Sequence, residues 1–122
     1  MSALRILVAD DEQDTVLTLN ALLRAEGYET QGVYRGADVA AAVWAFDPDV
    51  VLLDLAIPDR SGWELARDIR AARGHERPVL IAISGIYNQQ AGEHFLGTLC
   101  EFDHYIAKPY DPLALLRLLR RV

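Results

Sequence analysis

The chain has 122 residues, 52% hydrophobic and 25% charged, with a net charge of −6 and a mean hydropathy of +0.08. That size and balance suit one folded domain spanning residues 1–122 and speak against a disordered or membrane-embedded chain, since no apolar run approaches the roughly 18 residues of a membrane span. The acidic balance leaves no electrostatic footprint for nucleic acid.

The first element is RILVA at Arg5–Ala9, a short apolar run that predicts a strand and ends on Asp10, Asp11 and Glu12. Thr15–Glu26 then sets Val16, Leu19, Leu22 and Leu23 on one helical face, with Asp14 as the expected N-cap and Gly27 where a left-handed cap belongs. ETQGV at Glu29–Val33 is more polar and reads as a weak strand at a sheet edge. The alanine-rich stretch Gly36–Phe46 predicts a helix that stops before Asp47-Pro48, a dipeptide that disfavours its continuation. VVLL at Val50–Leu53 runs straight into Asp54, and Pro58 and Ser61-Gly62 close that segment. Trp63–Ala72 places Leu65, Ile69 and Ala72 on one helical stripe, and VLIAI at Val79–Ile83 leads into Ser84-Gly85. Gln89–Cys100 predicts a further helix, weakened by Gly92 and Gly97. YIA at Tyr105–Ala107 leads into Lys108-Pro109. The last helix, Pro112–Arg121, opens on a first-turn proline and turns Leu115, Leu116 and Leu119 inward and Arg117, Arg120 and Arg121 outward, as a solvated edge.

Five alternations of strand and helix imply parallel pairing with right-handed crossovers, and near-continuous apolar strands imply a sheet covered on both faces. The expected architecture is a doubly wound α/β domain with five parallel strands and five helices. Cys100 is the only cysteine; it excludes an internal disulfide, fits a reducing, cytoplasmic setting, and reads as a small packed residue. His75, His94 and His104 show no metal-ligand spacing with it.

In such a sheet the ligand crevice lies outside the carboxyl ends of the strands. Asp10 and Asp11, Asp54, Ser84-Gly85 and Lys108-Pro109 follow four separate strands, so the topology delivers acids, a hydroxyl and an ammonium to one rim. Two or three carboxylates brought together repel unless neutralised. Mg²⁺ answers that need, being a hard cation held by one or two carboxylates, waters and a phosphate; the backbone carbonyl of Ala56 is the natural fourth protein oxygen. Lys108 supplies a compact positive charge and Ser84 a hydroxyl for a phosphoryl group. Asp54, framed by a rigid strand and a turn, is then the nucleophile that forms an aspartyl phosphate.

These residues are similar to those of a known family. ILVADDE at Ile6–Glu12, LLDLAIPDRSG at Leu52–Gly62, SG at Ser84-Gly85 and FDHYIAKPYDP at Phe102–Pro112 together resemble the CheY-like receiver domain of two-component response regulators, over essentially the whole chain. The resemblance implies a flavodoxin-like sheet in the strand order 2-1-3-4-5. It implies that Asp54 takes a phosphoryl group from a phosphohistidine on a sensor kinase or phosphotransfer protein, and that Asp10, Asp11 and Asp54 hold Mg²⁺. By the same resemblance Ser84 is the switch hydroxyl, Tyr105 the aromatic whose rotamer follows it, and Lys108 the phosphate-contacting lysine on a cis Lys108–Pro109 bond. The output is then a surface of the fourth helix, fifth strand and fifth helix that signals to a protein target, and phosphorylation-dependent homodimers occur among the possibilities. Gly85 reads either as room for an incoming donor or as plain turn chemistry.

Some positions depart from the family pattern. Cys100, Glu101 and Phe102 stand where small residues commonly precede the fifth strand, which puts the end of the fourth helix in question. Ala56 and Ile86 flank the site with no polar side chain to orient a hydrolytic water, so self-dephosphorylation is expected to be slow. Two other readings compete. A haloacid-dehalogenase-like phosphatase would need a second acid where Ala56 stands; a degenerate receiver serving only for docking would lack phosphotransfer. FDHYIAKP is also similar to receivers fused to sensor kinases, so both a freestanding regulator and a receiver from a longer protein fit.

Overall fold

The computed structural model describes residues 3–74, 76–85 and 101–122. Strands β1 (Arg5–Ala9), β2 (Glu29–Val33), β3 (Val50–Asp54), β4 (Val79–Ser84) and β5 (His104–Ala107) alternate with helices α1 (Gln13–Ala25), α2 (Val39–Phe46), α3 (Gly62–Arg73) and a C-terminal helix, Pro112–Arg120. A 3₁₀ turn at Gly36–Asp38 precedes α2. The strands form one parallel sheet in the order β2-β1-β3-β4-β5, with the polar β2 at an edge as its composition requires. Four of the five expected helices lie among the described residues. The fourth, at Gln89–Cys100, lies outside them, as do the packing expected of Cys100 and the position of Ile86.

Alternation along the strands divides the core in two. Leu7, Ala9, Val51, Leu53, Leu80 and Ala82 face α2 and α3, where Val39, Val43, Leu65, Ala66 and Ile69 cover them. Ile6, Val8, Val50, Leu52, Ile81 and Ile83 face α1 and the C-terminal helix, against Val16, Leu19, Leu23, Leu115, Leu116 and Leu119. Each fully buried leucine stabilises by ~2–3 kcal/mol, so these facing rows hold the rim in place. Approach is closest between α1 and β2: a Cβ on Gly32 would lie 2.3 Å from Val16 Cγ1.

Several helix ends follow local chemistry. Gly27 closes α1 at φ +94°, Asp47 closes α2 in the left-handed region, and Asp111 caps the C-terminal helix by accepting from the Leu113 amide. Asp14, expected as an N-cap, instead sits inside the first turn of α1, where its charge favours the helix dipole; Glu12 holds the cap position. Ala72, expected to face inward, is exposed. Its neighbour Arg70 is buried, donating to the carbonyls of Pro78 (2.7 Å), Glu101 (3.1 Å) and Gly74 (3.3 Å) and to the Asp103 carboxylate. Among the described residues no helix is long and apolar enough to cross a membrane.

Candidate functional site

Strand register assembles the rim. Ala9 pairs with Leu53, so Asp10 emerges beside Asp54; Ser84 pairs with Ala107, so Lys108 emerges beside Ser84. Asp54 pairs with Ile83, and the next amide, Leu55 N–H, donates to the Ile83 carbonyl at 2.9 Å. A parallel sheet therefore carries these side chains to one edge without help from any loop.

The carboxylates of Asp10, Asp11 and Asp54 each offer an oxygen within 4.8 Å of the others. Asp10 and Asp54 are only 4% and 3% exposed, while Asp11 reaches into solvent. Lys108 Nζ lies 2.7 Å from Asp54 Oδ2 and 3.6 Å from Asp10 Oδ2. The remaining oxygens are held by backbone: Asp54 Oδ1 accepts from the Ala56 amide at 2.8 Å, and Asp10 Oδ1 from the Glu12 amide at 2.9 Å. Ser84 is buried at the end of β4, and the Tyr105 hydroxyl donates to its carbonyl at 3.5 Å. Lys108–Pro109 is cis, as expected; Arg77–Pro78 is cis as well.

Electrostatics mark the cluster as over-supplied with negative charge. Burial, and after it the neighbouring Asp54 charge, pushes the Asp10 carboxyl up to about 6, although the Glu12 amide and Lys108 pull the other way. For Lys108 burial acts downward, but its hydrogen bond to Asp54 and the charges of Asp54 and Asp10 prevail, and the net shift is upward. One lysine thus serves two buried acids, with Asp11 beside them. Among the described residues the donor set fits a hard divalent cation: three carboxylates and no soft ligand, with one carboxyl destabilised in its charged form until more positive charge arrives.

Beside the cluster opens a cleft of about 540 Å³ lined by Glu12, Thr15, Gly85, Lys108, Pro109 and Tyr110. Gly85 borders it, and a Cβ there would meet Lys108 Cβ at an ordinary 3.4 Å, so packing does not demand the glycine. Tyr110 escaped the sequence reading; it is half-buried in the cleft wall, and burial raises its hydroxyl pKa. Asp59 escaped it too. Its carboxylate accepts from the Gly36 and Ala37 amides, which hold it below its ordinary range. Neither residue carries a sequence signal of its own, because each is defined by a contact across loops. Asp10, Asp11, Asp54, Ser84 and Lys108, by contrast, all meet at the rim.

The sheet order together with this rim defines a CheY-like α/β protein. The chain belongs to the response regulator receiver domain family, whose sequence model matches residues 6–120, and it is a receiver domain of the two-component kind. Among solved structures it is similar to a CheY-like receiver domain protein from Methanospirillum hungatei JF-1, with 26% identity, 98% of this chain and 93% of that one covered, and a TM-score of 0.86. A CheY-like receiver domain from Methylobacillus flagellatus is 29% identical, with 98% of each chain covered and a TM-score of 0.80. The receiver domain of sensor histidine kinase PA1611 from Pseudomonas aeruginosa PAO1 is 28% identical, covering 98% and 97% at a TM-score of 0.84; that structure has a magnesium ion coordinated in its active-site cleft.

Proposed function

We propose that the whole chain acts as one phosphoacceptor domain in a two-component relay, taking a phosphoryl group from a phosphohistidine onto Asp54. The observation that carries this reading is the Lys108 ammonium 2.7 Å from Asp54 Oδ2 inside a cluster of three acids. A bond forms between an Asp54 carboxylate oxygen and phosphorus. The phosphorus–nitrogen bond to the donor histidine breaks, and the imidazole nitrogen leaves with the electron pair. β3 holds the nucleophile still, which removes much of the orientational cost of the reaction. Lys108 contacts a phosphoryl oxygen, and the Ser84 hydroxyl donates to another. Asp10, Asp11, Asp54 and the Ala56 carbonyl would hold Mg²⁺, which supplies charge neutralisation to the transferring group.

The phosphoryl group carries about two negative charges and three acceptor oxygens; since the Asp54 carboxylate gives up its own charge on forming the bond, the rim gains about one net negative charge. Ser84 and Tyr105, joined through the Ser84 carbonyl, are the residues expected to feel such a change and to pass it to an output surface of β5, the C-terminal helix and the fourth helix expected from the sequence. The donor would be a sensor kinase or phosphotransfer protein and the target a further protein. The supporting experiment is incorporation of phosphate from a small phosphodonor, or of beryllofluoride. It is expected to need Mg²⁺ and to vanish in Asp54→Asn. A folded, Mg²⁺-supplied chain that incorporates neither would instead be a docking module; turnover of phosphate esters would point to a phosphatase.

A further inference from the structure

The segment between β3 and α3 carries Ala56, and Arg60 in its outer part pairs with Asp68 of α3 at 2.9 Å. Leu55 is tied to the sheet through the Ile83 carbonyl, Ile57 is buried, and Ser61 caps α3 by accepting from the Trp63 amide. Between Ile57 and Ser61 the segment reaches across to a different loop. Asp59 Oδ1 accepts from Gly36 N–H at 2.7 Å and Oδ2 from Ala37 N–H at 2.9 Å. Gly36–Asp38 is the 3₁₀ turn that leads into α2, and neither Arg35 nor Asp38, the residues at the two cap positions, uses its side chain as a cap. Asp59 therefore caps from outside a turn more than 20 residues away in sequence. The fit is close. Gly36 is buried, and a Cβ there would lie 2.6 Å from Arg60 Cβ and 3.1 Å from Asp59 Oδ1.

We infer that Asp59 is a positioning residue for the acceptor site: by clamping the β3–α3 segment to the turn before α2, it fixes the backbone at Ala56, whose amide already holds Asp54 Oδ1 and whose carbonyl would help to hold the metal in the proposed function. The inference rests on that function. Its physical content is that a carbonyl on an untethered loop pays ordering entropy each time it coordinates, whereas one on a clamped loop does not. Outer partners of metal sites act in this way. Asp59 itself touches neither Asp54 nor Lys108 through any hydrogen bond or ion pair described for it.

The test compares Asp59→Ala, Asp59→Asn and Gly36→Ala with the parent chain. Mg²⁺ affinity is read by calorimetry, and amide exchange of Gly36, Ala37 and Ala56 is read by NMR in the metal-free protein. Asp59→Ala is expected to weaken Mg²⁺ about tenfold, the lower end of what losing an outer partner brings, and to speed exchange at all three amides. Asp59→Asn keeps one acceptor and is expected to fall between it and the parent. Gly36→Ala alters no charge, so a similar weakening there separates clamping from simple loss of a nearby negative charge. Unchanged Mg²⁺ affinity in Asp59→Ala, with the three amides exchanging faster, overturns the inference and leaves Asp59 a cap only. Weakening in Asp59→Ala but none in a folded Gly36→Ala also overturns it, in favour of charge alone. A parent chain that binds no Mg²⁺ and takes up no phosphate sinks the proposed function instead, which the same titration reveals before any variant is compared.

Discussion

Replacing Asp10 by asparagine should make the metal-free protein more stable, and by an amount that depends on pH. Asp10 is 4% exposed, and burial, aided by Asp54, pushes its carboxyl from 3.8 up to about 6. Its folded pKa lies above its unfolded one. Between those values the native state holds a proton that the unfolded chain has released, so stability falls as pH rises, at ~1.4 kcal/mol per pH unit. Below the lower value the group costs nothing. Above the upper one the full loss has been taken, about 3 kcal/mol at most for this group. Asparagine keeps an oxygen for the Glu12 amide but forfeits the 3.6 Å attraction to Lys108, which trims the gain. We expect Asp10→Asn to be about 1–3 kcal/mol more stable than the parent near pH 7.5 and equal to it near pH 4. Urea unfolding followed by circular dichroism in EDTA measures this. Added Mg²⁺ should close the gap by stabilising the parent and not the variant. Equal unfolding midpoints at both pH values, or a variant weakened at neutral pH, would refute the electrostatic account of the rim.

Three further outcomes follow from the packing and the site. Arg70→Ala deprives three carbonyls and the Asp103 carboxylate of their donor, and urea titration should show a loss of about 3 kcal/mol; Arg70→Lys, without the planar fork, should recover little of it. Gly32→Ala drives a methyl to 2.3 Å from Val16 Cγ1 and should cost about 1–3 kcal/mol, with part returned when Val16→Ala is added; additive losses in the double variant would contradict the clash. Once phosphorylated by a small donor, the chain should stay so for minutes or longer, because Ala56 offers only a methyl beside Asp54; a lifetime of seconds, followed by loss of the phosphoryl signal, would show that another group orients water.

The strands were legible because each apolar run ends on a residue that cannot stay buried without a reason. RILVA stops at Asp10 and VVLL at Asp54, and the observed strands begin where those runs begin. Once parallel order is inferred, topology alone gathers the strand ends, which is why the acids, Ser84 and Lys108 were placed together from sequence. Polar partnerships between loops left no such trace. Arg70 sits in a helix with four other charged residues, and its burial depends on Asp103, 33 residues on. Asp59 reads as one more turn residue until Gly36 and Ala37 are seen to donate to it. Asp14 misled for a local reason: helix α1 starts at Gln13, so the cap fell to Glu12, which makes no side-chain cap bond.

The two ends of the sheet treat charge in opposite ways, and the contrast bears on which residues do the work. At the amino ends of the strands, acids and bases are matched: Asp49 joins Arg77 and the Arg5 amide, Arg5 lies 3.6 Å from Glu29, and Asp103 joins Arg70. Such matched pairs fix strand starts and leave no local imbalance. At the carboxyl ends three acids cluster around a site where Lys108 pairs with two of them, and one of those is driven up to about 6. A cluster left short of positive charge, while the opposite end of the sheet is matched, marks that place as kept for something other than stability. Burying Asp10, with Lys108 3.6 Å away and closer to Asp54, costs the free domain energy, and that cost falls when positive charge enters. Such an imbalance favours the entry of a divalent cation, as the proposed function requires. Replacing an acid at the amino ends should weaken the fold while sparing cation binding, and replacing one at the rim should do the reverse.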